Sequence, residues 1–210
     1  MTMEKSRESF WLIAPYAAWM VLMTALPATV TGYAVRTVVV AALLIAGFVS
    51  SRGSRSFFVT SGRESASPFS VSAVLTGLAV GLAVFAIWIL PEQFDWTWYR
   101  RFCILGEGGT KAVAESDAVM RIVRLCGSAF VIAVAEELFF RRWLIGFAGF
   151  WWMVGLFAIE HDRWLVGAIA GAIYGALYLR KGLGSAIVAH VVTNLVLGLW
   201  VLRTGQWQFW

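Results

Sequence analysis

Apolar runs nearly as long as a bilayer is thick alternate with short polar breaks along this 210-residue chain. A helix crossing the hydrocarbon core needs about 20 mostly apolar residues. On that measure the pattern predicts spans at Phe10–Thr29, Tyr33–Val49, Val71–Leu90, Val119–Arg141, Trp143–Glu160, Trp164–Leu179 and Ser185–Leu202. The fifth and sixth are short, as tilted, re-entrant or internally buried helices would be. The predicted fold class is all-α, a polytopic transmembrane bundle of about seven membrane helices. No polar stretch is long enough to fold separately, so a single integral membrane domain is expected over residues 1–210. Within it, 1–117 holds the N-terminal helices and an outer loop, and 118–202 holds the remaining spans.

Composition agrees with the pattern. Sixty per cent of residues are hydrophobic, 14% are charged and the mean hydropathy is +0.76, against about half and about a quarter in soluble domains. The net charge of +5 does not indicate nucleic acid, because the basic residues are scattered in ones and twos with no basic, aromatic-laced stripe. Lys5, Arg7, Arg52, Arg55, Arg63, Arg141, Arg142, Arg180 and Lys181 fall on one side of the predicted bundle. The positive-inside rule makes that side the cytoplasm, with the N-terminus inside and the C-terminus outside. In the outer loop Pro91–Asp117, the acids Glu92, Asp95, Glu107, Glu115 and Asp117 outnumber Arg100, Arg101 and Lys111. Trp96, Trp98, Trp200, Trp207 and Trp210 near the outer helix ends suit headgroup anchoring. Phe10–Leu26 is too long for an ordinary signal-peptide core and reads as an uncleaved first span. Cys103 and Cys126 lack metal spacing and read as unpaired small residues.

Small residues mark helix contacts. Gly167, Gly171 and Gly175 form a stripe on the sixth span, and Gly77 and Gly81 repeat it on the third. Such stripes let helix backbones approach closely in lipid.

The chemistry lies in a few polar residues within apolar runs, where a charge costs roughly 2.5–3.5 kcal/mol even on the lenient insertion scale. Glu136-Glu137-x-x-x-Arg141 comes first. Glu137 and Arg141 are four apart and can pair on one helix face, whereas Glu136 points about 100° away. Phe157-x-x-x-His161 and His190-x-x-x-Asn194 follow, each pair projecting together from a helix. His161 and His190 are the two histidines of the chain. These groups suit activation of water against a carbonyl. Glu136 would be the general base, His161 would orient the water, and His190 and Asn194 would donate to the developing oxyanion. Alternatively, Glu136, His161 and His190 could hold zinc with a fourth position for water, although the H-E-x-x-H signature is absent.

The ordered motifs Glu136-Glu137-Leu138-Phe139-Phe140-Arg141, Phe157-Ala158-Ile159-Glu160-His161 and His190-Val191-Val192-Thr193-Asn194 resemble the CPBP group of intramembrane proteases. These are the type II CAAX prenyl endopeptidases and their bacterial relatives, also called the Abi family. The resemblance spans roughly Val131 to Leu197. It implies proteolysis within the membrane, with Glu136, His161, His190 and Asn194 catalytic and Glu137, Arg141 and Phe157 supporting. The stretches "FAIEHDRWLVGAIAGAIYG" and "HVVTNLVLGLWVLRTGQWQFW" are similar to the CPBP proteins associated with exosortase systems. That narrower resemblance implies a bacterial inner-membrane protein whose partners are membrane lipids, a membrane-anchored protein substrate and an exosortase. It does not imply a prenylated substrate. Many family members have glycine after the motif arginine, where this chain has Arg142.

A straight fifth span would lift His161 some 20 Å from the cytoplasmic side, away from Glu136 and His190. Either that segment tilts or re-enters, or the fourth helix ends deeper than Arg141. Two other functions use the same cluster: a proton-coupled transporter, and a non-catalytic membrane partner that scaffolds sorting. No inverted repeat or pair of broken helices favours the first.

Overall fold

The computed structural model describes residues 3–51, 67–106 and 117–209. Arg52, Arg55, Arg63, Glu107, Lys111, Glu115 and Trp210 lie outside them. Among the described residues there are eight helices and no strand. They are α1 (Met3–Ala25), α2 (Val30–Ser50), α3 (Val71–Gln93) and α4 (Thr97–Cys103), then α5 (Ala118–Ala148), α6 (Phe150–Ile159), α7 (Trp164–Lys181) and α8 (Leu183–Thr204). A short 3₁₀ turn, Trp207–Phe209, follows. Four helices, α2, α3, α5 and α8, are long and apolar enough to cross a membrane. The all-α helical bundle expected from the hydrophobic pattern is the fold observed.

Local signals begin these helices. Thr29 caps α2 by accepting from the Gly32 amide, Ser70 caps α3 through Ala73, and Asp117 caps α5 through Met120. Each supplies an oxygen to an amide that the first turn leaves unpaired. Glycines end the helices where the chain reverses. Gly149 between α5 and α6 has φ 94°, and Gly182 between α7 and α8 has φ 92°. A residue with a Cβ adopts such angles only under strain.

The largest departure from the predicted spans is α5, which does not stop at Arg141 but continues to Ala148. Arg141 is therefore no cytoplasmic loop charge; it is fully buried inside a helix. The predicted fifth span also starts late, at Phe150, because the break falls at Gly149. This removes the depth conflict. From Glu136 the chain travels about 18 Å to Ala148, and α6 with its following turn brings it back about 16 Å to His161.

Glycine stripes set the two closest helix pairs. The α3–α8 contact is the most extensive in the molecule. A Cβ on Gly77 would meet Val188 at 2.7 Å, and one on Gly81 would meet the Ala189 carbonyl at 2.5 Å. On α7, a Cβ at Gly167 would lie 3.2 Å from His161 Cβ, one at Gly171 3.0 Å from the Phe157 ring, and one at Gly175 2.6 Å from Met153. The stripe read from the sequence thus holds α6 against α7, and α6 carries Phe157 and leads to His161.

The C-terminal ends of α3 and α8 share one end of the bundle with α4 and the turn after α6. The Gln93 amide nitrogen donates to Gln206 at 2.7 Å, the Leu105 amide donates to the Asp162 carbonyl at 2.7 Å, and the Trp164 indole donates to the Phe102 carbonyl at 2.9 Å. Arg163 forms a buried ion pair with Glu92 and lies 4.9 Å over the Phe209 ring. The opposite end carries Arg142, paired at 2.7 Å with Glu8 of α1, and Arg180 and Lys181 at the end of α7. Cys103 is buried, Cys126 is exposed, and both are free.

Candidate active site

Helix α5 is not a regular α-helix where its charges sit. Gly127–Ile132 and Glu137–Leu144 are wound with the wider π repeat on either side of the short α stretch Ala133–Glu136. Such insertions in α-helices frequently occur at functional sites. Here two consecutive carboxylates reach one imidazole from α8. Glu137 Oε1 stands 2.8 Å from His190 Nδ1, and Glu136 Oε2 stands 3.5 Å from His190 Nε2. The side chains diverge from the helix, as their angular separation requires, and the ring fits between them with a nitrogen towards each.

Glu137 is also paired, as expected, with Arg141 at 3.1 Å, and both side chains are wholly buried. Removing two charges from water costs several kcal/mol per ion unless geometry and further contacts compensate. Three aromatic faces help: the guanidinium lies 4.2 Å from the Phe157 centroid, 5.4 Å from Tyr174 and 5.7 Å from Phe140. Phe157 therefore supports Arg141 as well as packing on α7.

This pairing assigns proton positions. An ion-paired carboxylate only accepts, so His190 Nδ1 carries the hydrogen that points to Glu137, and Nε2 presents its lone pair towards Glu136. Tyr174 stacks on the His190 ring at 5.0 Å and donates its hydroxyl to Thr193 at 2.6 Å. The Thr193 oxygen lies 2.9 Å from the Gly81 carbonyl and 3.0 Å from the Ala189 carbonyl, so its own hydrogen is taken up there. The imidazole is consequently held by α5, α7 and α8 together, with α3 behind Thr193.

His161 is held differently. Its Nδ1 stands 2.7 Å from the Phe157 carbonyl, four residues back. That oxygen accepts, so Nδ1 is the donor and Nε2 is left as an acceptor. Trp88 of α3 packs edge-on to the ring at 5.4 Å.

A cavity of about 160 Å³ joins these groups. Ser128, His161, His190, Thr193 and Asn194 form its polar wall, and Trp88, Phe157, Tyr174, Leu197 and Phe209 contribute to the apolar remainder. Glu136 does not line it; it meets the cavity through His190. The Asn194 amide donates to the Ser128 carbonyl at 3.2 Å. The structure thus gathers His161, His190 and Asn194 on one cavity and Glu136, Glu137 and Arg141 behind His190. His161 and Glu136 make no hydrogen bond or ion pair with each other.

Zinc needs three protein ligands converging on one point. Among the described residues no three His, Cys, Asp or Glu side chains do so. His190 presents its two nitrogens to the two glutamates, and His161 spends Nδ1 on a backbone carbonyl. Glu136, His161 and His190 do not form a ligand set in this arrangement.

Sequence reasoning missed three neighbours. Glu160 stands directly before His161 at the end of α6. Tyr16 of α1 sits against the Glu160 carboxyl and stacks on Phe139 at 4.4 Å. Trp88 closes the cavity from α3. A glutamate next to a motif histidine was visible in the chain, but nothing local marks Tyr16 or Trp88 as site residues, because packing of distant helices brings them there.

Residues 118–196, well under half of the chain, match the family model described as Type II CAAX prenyl endopeptidase Rce1-like. The matched segment includes Glu136, Glu137, Arg141, Phe157, His161, His190 and Asn194. No curated protein matches the chain, and no solved structure does.

Proposed function

We propose that this membrane protein is an intramembrane endopeptidase that hydrolyses a peptide bond in a membrane-associated protein tail. One observation carries the reading: a buried imidazole bracketed by two carboxylates, set at the wall of a cavity whose other polar groups include a second histidine and an asparagine. The match to the Rce1-like family supports the same class of reaction.

The chain's own residues supply each part. A cavity water gives its proton to Glu136 by way of His190 Nε2 as its oxygen attacks the scissile carbonyl carbon. His161, with its acceptor Nε2, orients that water. His190 carries the proton between Glu136 and the leaving amine: its Nε2 accepts, becomes a donor, and hands the proton on as the C–N bond breaks. Glu137 steadies the imidazolium that forms in transit, and Arg141 holds Glu137 in place by their ion pair. Asn194, on the same wall, donates to the developing oxyanion once it turns from the Ser128 carbonyl. Water's remaining hydroxyl ends in the new carboxyl group, and Glu136 is regenerated.

The site also fits what such chemistry needs from its surroundings. A mostly apolar cavity with a few convergent polar groups is the usual form of a ligand site, and a dry wall strengthens every charge interaction at the reacting atoms. The proposed setting is a bacterial inner membrane with the N-terminus in the cytoplasm and an exosortase as partner; sequence resemblance and the distribution of basic residues support it. The test is reconstitution in liposomes with a membrane-anchored reporter tail. Glu136→Gln and His190→Ala are expected to abolish cleavage while the protein stays folded. Cleavage retained by Glu136→Gln contradicts the reading, and uptake of solute driven by a pH gradient without cleavage favours a transporter.

A further inference from the structure

The cavity is small, and its far end is closed by residues outside the three motifs. An apolar cavity of about 150 Å³ holds one benzene ring; this one is about 160 Å³. Its polar wall already carries the reacting groups, so the remaining space faces Trp88, Ala170, Leu197 and Phe209. Phe209 comes from the 3₁₀ turn that follows α8. It is nearly buried, packs with Ile89, Leu197 and Val201, and lies under the Arg163 guanidinium. Arg163 is itself fixed by its buried ion pair with Glu92. The end wall is therefore held from two other helices and is not a loosely lying tail.

We propose that this cavity is the subsite for one apolar side chain of the substrate next to the scissile bond, and that Phe209 sets its size limit. The inference rests on the peptidase reading above. The occupant is an aliphatic side chain or a single phenyl ring: its backbone lies along the polar wall, where His161, His190 and Asn194 stand. An indole is too large. A farnesyl chain, with more than twice the carbons of benzene, is excluded from the cavity as well, so a lipid on the substrate lies outside it. Ala170, on α7, lines the same cavity, so any larger side chain there takes up part of that space.

The test uses the full chain in liposomes with a membrane-anchored reporter tail varied at one residue beside the cleavage position. Wild type is expected to cleave tails bearing Val, Leu or Phe at least tenfold faster, in kcat/KM, than tails bearing Trp. Phe209→Ala is expected to raise the Trp tail to within about threefold of the Leu tail. Ala170→Leu is expected to shift preference the other way, to Ala over Leu. Two variants acting in opposite directions keep the test decisive where one folds poorly. Equal cleavage of Leu and Trp tails by wild type, or unchanged selectivity in both variants, overturns the inference. A second readout does not depend on cleavage: fluorobenzene binding followed by ¹⁹F NMR in the Glu136→Gln protein. Saturable binding that Ala170→Leu removes supports the subsite, and its absence overturns it. Saturable binding with no cleavage of any tail by wild type contradicts the peptidase reading alone.

Discussion

At the scale of single residues, the site is a set of unequal charges. Glu137 and Arg141 are wholly buried and form an ion pair, so losing one strands the other. Removing one partner of a buried pair costs about 3–5 kcal/mol. Arg141→Ala should therefore lower the unfolding midpoint sharply, and detergent-solubilised protein followed by circular dichroism would show it. Arg141→Lys is also expected to destabilise, because an ammonium cannot spread across Phe157, Tyr174 and Phe140 as a planar guanidinium does. An unchanged midpoint for Arg141→Ala would mean that the pair is not the anchor described here. Glu136 behaves differently. It contacts His190 at 3.5 Å and has no ion pair with arginine, so Glu136→Gln should remove cleavage with little loss of stability. The pairing of Glu137, and not Glu136, with Arg141 was legible in the sequence from the i, i+4 spacing alone. That both would converge on one histidine was not, since it depends on where α8 sits.

At the scale of elements, glycines decide whether the motifs meet. Gly171 faces the Phe157 ring so closely that a Cβ would stand 3.0 Å away. Gly171→Val should push α6 from α7, displace Phe157 and His161, and cut cleavage by at least tenfold, while Gly155→Ala, whose added Cβ meets nothing within 4 Å, should leave cleavage near wild type. Comparing the two rates separates close packing from general intolerance of α6 and α7 to change. Gly149 tests a different requirement. There is space for a side chain, but φ is 94°, so Gly149→Ala costs by backbone strain, on the order of 1–2 kcal/mol, read as a lower unfolding midpoint. The stripe on α7 could be read from spacing, and the break at Gly149 could not. The apolar residues on both sides of that glycine run on without a polar pause, and hydropathy therefore joined them into one span. The π winding of α5 has no signal in composition either.

At the scale of the whole molecule, residues 118–196 carry the family likeness, but the site is completed from outside them. Trp88 comes from α3, Tyr16 from α1 and Phe209 from the turn after α8. The bundle also has two distinct ends, one with Arg142, Arg180 and Lys181 and the other with the Arg163–Glu92 pair and α4. The proposed orientation, with the N-terminus in the cytoplasm, predicts that a single cysteine at Arg180 is protected from a membrane-impermeant maleimide in intact cells and that one at Trp98 is labelled. The reverse pattern would invert the topology. The all-α fold class was legible because lipid forces each span to be apolar and helical, whereas about seven membrane helices were expected and four of the eight described helices are long and apolar enough to cross. The route by which distant helices assemble a cavity was not, because a hydrophobic pattern records burial and not the partner.

Water activated through Glu136 would leave its oxygen in the product, so cleavage in ¹⁸O-labelled water reads the proposed step. Mass spectrometry of the reporter products should show one ¹⁸O in the new carboxyl group formed by the wild-type protein, and no product from Glu136→Gln. Product formed by Glu136→Gln at the wild-type rate, or wild-type product without the label, would contradict the account.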